Sequence, residues 1–307
     1  MSAGLDPRLH ELLACPRCLA EFVITDTSLQ CGGCRETFAL EDGIPVLLPK
    51  TFDVEHLKEE QFLATMMREK AHLPAMRFNL EQWNQSKQDF WRMVAAGVSG
   101  SSKRFVNIGC GYDSRYSEFE SKGHVFVNFD MVLDMLKTLR SDFGALFCVN
   151  GDLNSLPFKR GAFDYVISID VIHHECDRLS EVLATFRDLL KPGGTLFLED
   201  PNAWGLFQMA KSIFLPRPVY RYLRSTFHRL LRSTHRPADY EFPTNVWQVT
   251  RILQELGFEK IHVYPQTAYP TIGRTRHQIY RWLSGSEYVR TYHNYHYMLS
   301  ATRSAHA

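Results

Sequence analysis

No uninterrupted apolar run in this 307-residue chain approaches the ~18 residues needed to cross a bilayer. The first residues, Met1-Ser2-Ala3-Gly4-Leu5-Asp6-Pro7, lack the basic n-region and apolar core of a secretory signal. Net charge is nearly absent as well: at +1, the whole-chain balance points to no class of partner. Cysteine is present in an odd count of seven, which argues against a secreted disulfide framework, since one must be left over. A reducing compartment fits better, and the expected location is cytoplasmic. Hydrophobic content of 45% and charged content of 22% are ordinary for a globular protein with a real core. The length allows two domains, or one large domain with an appendage.

Four of the seven cysteines cluster near the N-terminus. Cys15-Pro16-Arg17-Cys18 is followed, after twelve intervening residues, by Cys31-Gly32-Gly33-Cys34. Two Cys-x-x-Cys knuckles at this separation can present four thiolates tetrahedrally to Zn²⁺. Gly32 and Gly33 ease the second turn. Between the knuckles, Glu21–Thr25 and Thr27–Gln30 read as a small hairpin. So short a segment cannot bury enough surface to fold alone, so metal must supply much of its folding energy. Four unrelated thiols rarely meet so demanding a double spacing, and no βαβ pattern surrounds either knuckle to suggest a redox pair. With no His, Asp or Glu to complete an open site, Cys15, Cys18, Cys31 and Cys34 form a closed, structural set.

This segment resembles the small zinc-ribbon family of tRNA-methyltransferase activator proteins and their bacterial relatives. The resemblance rests on Leu12-Leu13-Ala14-Cys15-Pro16-Arg17-Cys18, the second knuckle, and Asp42-Gly43-Ile44-Pro45-Val46-Leu47-Leu48-Pro49. It covers about residues 8–50. It implies a module that docks on, or is fused to, a methyltransferase domain; it does not imply an RNA substrate.

Residues 51–102 read as a helical linker. Charges interleave with Leu57, Phe62, Leu63, Met66 and Met67 over Glu55–Lys70, and Pro74 breaks the pattern. A second helix is expected over Leu80–Ala96, with Trp83, Phe90, Trp91 and Val94 as its apolar positions. Such residues are more often the packing face of a helix than a pocket wall. Gly97–Ser102 reads as a joint.

From Lys103 onward, strands and helices alternate. Strands are expected at Arg104–Ile108, Val125–Phe129, Ala145–Asn150, Phe163–Ile169 and Thr195–Leu198. Helices are expected at Ser114–Ser121, Val132–Leu139 and Leu179–Leu189. This is an α/β pattern: a Rossmann-like, mostly parallel sheet with helices on both faces, plus the small N-terminal zinc ribbon. Val246–Leu256 (helix), Glu259–Tyr264 (strand) and Tyr292–Thr302 (closing strand) complete it. The expected organisation is a ribbon over 1–50, a linker over 51–102 and a third domain over 103–307, with insertions at about 203–243 and 266–290.

Ligands of such sheets sit beyond the carboxyl ends of the strands. Gly109, Cys110 and Gly111 fall there after the first strand, Asp130 and Met131 after the second, Asp152 and Leu153 after the third, and Asp170, His173 and His174 after the fourth. Gly109 and Asp130 are 21 positions apart, about the distance at which a dinucleotide-type fold places an acid for a ribose hydroxyl.

Over about residues 104–202 the chain resembles class I S-adenosylmethionine-dependent methyltransferases. The matching stretches are Val106–Gly111, Asn128-Phe129-Asp130, Gly151–Phe158, Phe163-Asp164-Tyr165-Val166 and Leu190-Lys191-Pro192-Gly193-Gly194. The resemblance implies that Gly109 and Gly111 face the methionine part of S-adenosyl-L-methionine. It implies that Asp130 holds the ribose hydroxyls, with Met131 beside it, and that Asp152 bonds the adenine amino group with Leu153 against the ring. Asp170 joins this cofactor-binding set. Asn107 stands where the family usually has Asp or Glu, and Asp113 where it often has a third glycine. Asn107 can hydrogen-bond but cannot pair with the cofactor's ammonium; Asp113 or a water can compensate. An NAD-type dehydrogenase is the rival, but its turn wants a third glycine where Ser114 stands.

Methyl transfer needs an aligned nucleophile and, for a hydroxyl, a base. His173 and His174 are the catalytic candidates because imidazole titrates near neutrality; one of them can equally cap or pack at the helix entrance. Glu199 and Asp200 are alternatives. Between Asp200 and Asp239 there is no acid, while Lys211, Arg217, Arg221, Arg224, Arg229, Arg232 and Arg236 lie in the gap. A basic amphipathic helix there suits a lid, an anionic membrane surface or, less well, RNA.

The expected function is S-adenosylmethionine-dependent methyl transfer to a small-molecule or glycan/lipid-linked acceptor, with O-methylation favoured and zinc structural. An RNA methyltransferase, or a non-catalytic cofactor-binding and partner-recruiting module, is the alternative.

Overall fold

The computed structural model describes residues 5–25, 27–49, 87–113, 115–206, 209, 243–267, 278–279 and 281–305. The first linker helix, the 211–236 basic stretch and most of the two expected insertions lie outside these residues.

The N-terminal segment opens with helix α1 (Pro7–His10), started by Pro7 and capped by the Asp6 carboxylate, which accepts from the Arg8 N–H. Strands β1 (Phe22–Ile24), β2 (Ser28–Cys31), β3 (Thr37–Glu41) and β4 (Ile44–Val46) follow as an antiparallel meander. Helix α2 covers residues 87–97. Then come β5 (Arg104–Ile108), α3 (Ser117–Glu120), β6 (Val125–Asp130), α4 (Leu133–Phe143), β7 (Phe147–Asn150) and β8 (Phe163–Ile169). They are followed by α5 (Leu179–Leu189), β9 (Leu190–Pro201), α6 (Val246–Glu255), β10 (Phe258–Tyr264), α7 (Glu287–Tyr292) and β11 (His296–Arg303).

All the strands join one eleven-stranded sheet in the order β1-β2-β3-β4-β7-β6-β5-β8-β9-β11-β10. The central run from β7 to β9 is parallel, as expected, and β11 is antiparallel to both of its neighbours. β5, β6, β7 and β8 are buried almost throughout. Helices cover both faces, which is why these strands read as nearly continuous apolar runs. On one face α5 contributes Leu179, Val182, Leu183, Phe186 and Leu189, and α6 contributes Val246, Val249, Ile252 and Leu253. On the other, Phe90, Trp91 and Val94 of α2 pack with Phe119, Leu136 and Leu139 over Phe105 and Phe126.

Two details differ from the expected elements. Lys191–Gly194 is a bulge inside the long β9: the register jumps from Phe163 opposite Leu190 to Tyr165 opposite Thr195. The expected closing strand from Tyr292 begins only at His296, because Tyr292 still ends helix α7, where the His293 N–H donates to the Val289 carbonyl and the Thr291 hydroxyl to the Glu287 carbonyl.

The N-terminal strands extend the main sheet. β4 pairs parallel with β7 at Val46 and Asn150, and the Leu47 N–H donates to the Asn150 carbonyl at 2.8 Å. A second seam joins Leu13 and Phe158 as a bridge; Ala14 donates to the Pro157 carbonyl and Lys159 to the Leu12 carbonyl. Leu9, Leu12, Leu13, Phe22, Phe38 and Leu47 share one apolar core with Phe129, Phe147 and Phe158. Among the described residues, no helix is long and apolar enough to cross a membrane.

Candidate functional site

The glycine turn after β5 is built against the end of β6. Gly109 and Cys110 both donate to the Phe129 carbonyl, at 2.9 and 3.1 Å. Gly109 has φ +68 and Gly111 φ +53, in the left-handed region that favours glycine. Their surroundings differ. A Cβ on Gly109 would lie 2.3 Å from Val171 Cγ2, whereas one on Gly111 would meet nothing within 4 Å. Gly109 is thus demanded by packing, and Gly111 borders open space.

Asp130 ends β6 and closes this turn. Its Oδ2 accepts from the Gly111 N–H at 2.9 Å and its Oδ1 from the Val132 N–H at 2.8 Å. Burial raises its pKa above the ordinary carboxylate value, against the backbone donors that lower it. Each oxygen keeps a second lone pair for a hydroxyl. The buried Asn150 amide donates to the carbonyls of Asp130 and Met131 at 3.0 and 2.8 Å, tying the end of β7 to this loop. Asp152 caps the short 3₁₀ turn Leu153–Ser155, accepting from the Asn154 N–H at 3.0 Å. Gly109, Gly111, Asp130, Met131, Asp152 and Leu153 thus lie at the carboxyl ends of adjacent parallel strands.

Asn107 and Asn128 are register partners on β5 and β6, both buried. Neither the Asn107 Oδ1 nor either amide atom of Asn128 has a hydrogen-bond partner. Buried polar atoms left so are costly, and such a pair suits a polar ligand group or a bound water. Asp113, where the third glycine was expected, accepts from the Trp91 indole N–H at 2.8 Å and so fastens α2 to the glycine turn.

Past β8 lies a buried polar web. Asp170 sits at φ +57, and its Oδ2 meets Lys87 Nζ at 3.1 Å. His296 Nε2 lies 3.2 Å from Asp170 Oδ1, and its Nδ1 3.6 Å from Glu199 Oε1. The Gln266 amide donates to Glu199 Oε1 at 3.2 Å. Burial acts to raise the Asp170 pKa, but Lys87, His296 and His173 together lower it. Burial likewise acts to lower that of Lys87, and Asp170, Glu199 and Asp113 overcome it and leave it raised. Burial holds His296 down at about 4, against the pull of Asp170, so it is neutral at neutral pH.

A second arm of the web contains His173. Its Nδ1 lies 3.0 Å from Asp200 Oδ1. Asp200 is fully buried, and its Oδ2 accepts from the Thr244 hydroxyl at 2.7 Å, with the Tyr297 hydroxyl 2.7 Å from Thr244. Burial raises the Asp200 pKa in spite of His173. The His174 ring lies against that of His173, with centroids 4.1 Å apart. Of the residues singled out in sequence, Asp170, His173, Glu199 and Asp200 therefore meet in one web; His174 borders it. Lys87, Thr244, Gln266 and His296 were not foreseen. An isolated His in a tyrosine-rich strand carries no local mark of its partners, which come from β8 and β9.

At the other end of the chain, Cys15, Cys18, Cys31 and Cys34 place their sulfurs within 4.8 Å of one another. Cys15 and Cys34 are 3.7 Å apart at Sγ, and Cys18 and Cys31 3.4 Å. Tetrahedral Zn–S bonds of about 2.3 Å require sulfurs about 3.8 Å apart, so the set fits a zinc ion. Leu9, Phe22 and Leu29 are buried in the core around it.

Residues 106–198 match the methyltransferase domain family, and residues 6–43 match the Trm112p-like protein family. A malonyl-[acyl-carrier protein] O-methyltransferase of Erwinia pyrifoliae is 28% identical over 103 residues, 34% of this chain and 39% of that protein. Across the curated relatives it matches, the chain spans between 4% and 63% of their length. A phosphoethanolamine N-methyltransferase from Haemonchus contortus, solved with S-adenosyl-L-methionine, superposes with a TM-score of 0.52 at 17% identity, over 85% of this chain and 62% of that one. The complex of the Haloferax volcanii Trm112 methyltransferase activator with a methyltransferase contains a chain that superposes with a TM-score of 0.50 at 14% identity, over 81% of this chain and 98% of that one. These likenesses establish the fold. The chain therefore carries a stretch matching a methyltransferase domain, joined to a Trm112p-like N-terminal segment with a four-cysteine cluster.

Proposed function

We propose that this chain transfers a methyl group from S-adenosyl-L-methionine to a hydroxyl of a small-molecule or glycan/lipid-linked acceptor, with zinc serving only to fold its ribbon. The observation that carries this reading is the joining of the glycine turn to Asp130, through the Gly111 N–H, at the carboxyl ends of β5 and β6. When bound, the cofactor supplies an electrophilic sulfonium methyl. Asp130 receives the ribose hydroxyls, Asp152 and Leu153 the adenine, and Gly111 allows close approach. Asn107 and Asn128 offer buried amide groups to the methionine end.

On the acceptor side, His173 is the base. Asp200 accepts the Nδ1 proton, which sets the tautomer and leaves the lone pair on Nε2. With the cofactor bound, the acceptor hydroxyl would give its proton to Nε2 as its oxygen takes the methyl group, and the imidazolium beside Asp200 would return that proton to solvent. The O-methyltransferase from Erwinia pyrifoliae supports an oxygen acceptor without identifying it.

The domain boundaries at about 50 and 102, with insertions at about 203–243 and 266–290, belong to the same reading. Titration calorimetry tests it: S-adenosylmethionine and S-adenosylhomocysteine should bind and NAD should not. Binding of NAD in their place would overturn the reading. Tight RNA binding that weakens steeply with salt would replace the acceptor class.

A further inference from the structure

The rim beyond the acceptor side carries an unusual amount of exposed apolar surface. Trp282 is 82% exposed, Tyr288 56%, Trp247 46%, Ile279 45%, Trp204 41% and Leu283 40%. Ile279, Trp282 and Leu283 are spaced three and four apart along a helical segment and share one face. The rest form a continuous string. Trp247 stacks on Tyr292 at 4.6 Å, Tyr292 meets Tyr288 at 5.1 Å, and Tyr288 meets His293 at 5.5 Å. His293 Nδ1 lies 3.0 Å from the Trp204 carbonyl. Arg290 links the two groups by donating to the Ser284 and Gly285 carbonyls.

This string borders the acceptor web directly. Trp204 lies four residues after Asp200, and Trp247 three after Thr244, whose hydroxyl holds Asp200. The Ala203 N–H donates to the Thr244 carbonyl at 2.8 Å, fastening the two segments side by side. The flanking sequence is rich in cations, with the exposed Glu287 an acid beside Tyr288. No acid lies between Asp200 and Asp239, a span with seven Lys or Arg, and none lies between Glu259 and Glu287, a span with Arg274, Arg276 and Arg281.

We infer that this rim docks on an anionic membrane interface and presents the acceptor web to it. Trp and Tyr are the side chains that favour the headgroup boundary, with an apolar body and a polar tip. Ile279 and Leu283 supply the aliphatic contact beneath them. Basic flanking sequence matches the negative surface potential of such a membrane. RNA is the poorer fit: the described rim is apolar where a nucleic-acid groove is lined by cations. The inference extends the proposed function by giving the acceptor a lipid surface to come from; the docking itself is measured without turnover.

The test is co-sedimentation of the full chain with vesicles of phosphatidylcholine alone and with about one third phosphatidylglycerol. Cofactor calorimetry and thermal melting on the same preparations separate failure of docking from failure of the cofactor reading. The expected result is binding to the anionic vesicles, weakened by salt. It should fall on the order of tenfold in Trp282→Ala and be largely retained in Trp282→Phe, with melting and cofactor affinity unchanged in both. Absence of vesicle binding overturns the inference, as does binding that Trp282→Ala leaves intact. So does a self-associating chain that becomes monomeric in Trp282→Ala, or a short RNA that binds where vesicles do not.

Discussion

Burial pushes the Asp130 carboxyl up while the N–H groups of Val132 and Gly111 act to hold it down. Asp130→Ala removes the acceptor of both N–H groups and should weaken S-adenosylmethionine at least about tenfold by calorimetry, each lost charge-assisted bond being worth roughly 1.5–3 kcal/mol. Gly109→Ala tests packing: a methyl 2.3 Å from Val171 Cγ2 at φ +68 should cost about 1–3 kcal/mol in chemical denaturation. For the base, His173→Ala should lower kcat on the order of a hundredfold or more while cofactor affinity holds within about twofold. Full turnover in both His173→Ala and His174→Ala would move the role to Glu199 or Asp200. His296 gives a pH signature. Burial keeps its folded pKa at about 4, below the ordinary imidazole value of 6.5, so the unfolded chain takes up the proton first as pH falls. The folded state loses stability through that window, by roughly 3 kcal/mol at most. Glu120, pushed by burial up to about 7, works in the opposite sense, gaining stability as pH falls toward the ordinary carboxylate range. Thermal melts of the parent and His296→Asn across the window isolate the first effect, because the Glu120 contribution is common to both.

At the scale of elements, the four-cysteine meander is a clamp on the loop from Gly151 to Phe158. Leu47 bonds the Asn150 carbonyl at one end of that loop; Ala14 and Lys159 bond across at the other. Lys137–Glu41 and Arg104–Glu11 also cross the seam, but partly exposed ion pairs of this kind contribute little. The buried Leu12, Leu13, Phe38 and Leu47 contribute about 1.5–3 kcal/mol each and decide the docking. Cys15→Ser should therefore release bound zinc, read by metal analysis, and also weaken S-adenosylmethionine, because the loop from Gly151 to Phe158 loses both its anchors. A metal-free chain of equal stability would refute the structural role of zinc. The double knuckle was visible from spacing alone, since four sulfurs must converge on one point. The β4–β7 pairing was not: a parallel pair joined across a hundred residues of sequence leaves no local trace.

In the whole molecule, the ribbon core and the sheet core are one, so deleting residues 1–49 should bare the β7 edge and a patch including Phe147 and Phe158, giving an aggregating product. The intact chain should melt with the ribbon and sheet in a single transition. The sequence by itself determined the central strands, because burial on both faces turns them into nearly continuous apolar runs. It also determined the glycine turn, the acid after β6 and the four-cysteine set, because each is a local pattern with a fixed spacing. Only the tertiary structure decided which side chains share the buried polar web. Lys87, Asp170, Thr244 and His296 come from four separate stretches, and a charge or hydroxyl placed by long-range packing looks in sequence like any surface residue. The structure likewise decided that Asp113 fastens α2 through Trp91, and that the aromatic residues after Asp200 and Thr244 form one exposed rim, since sheet order and not sequence distance brings those segments together.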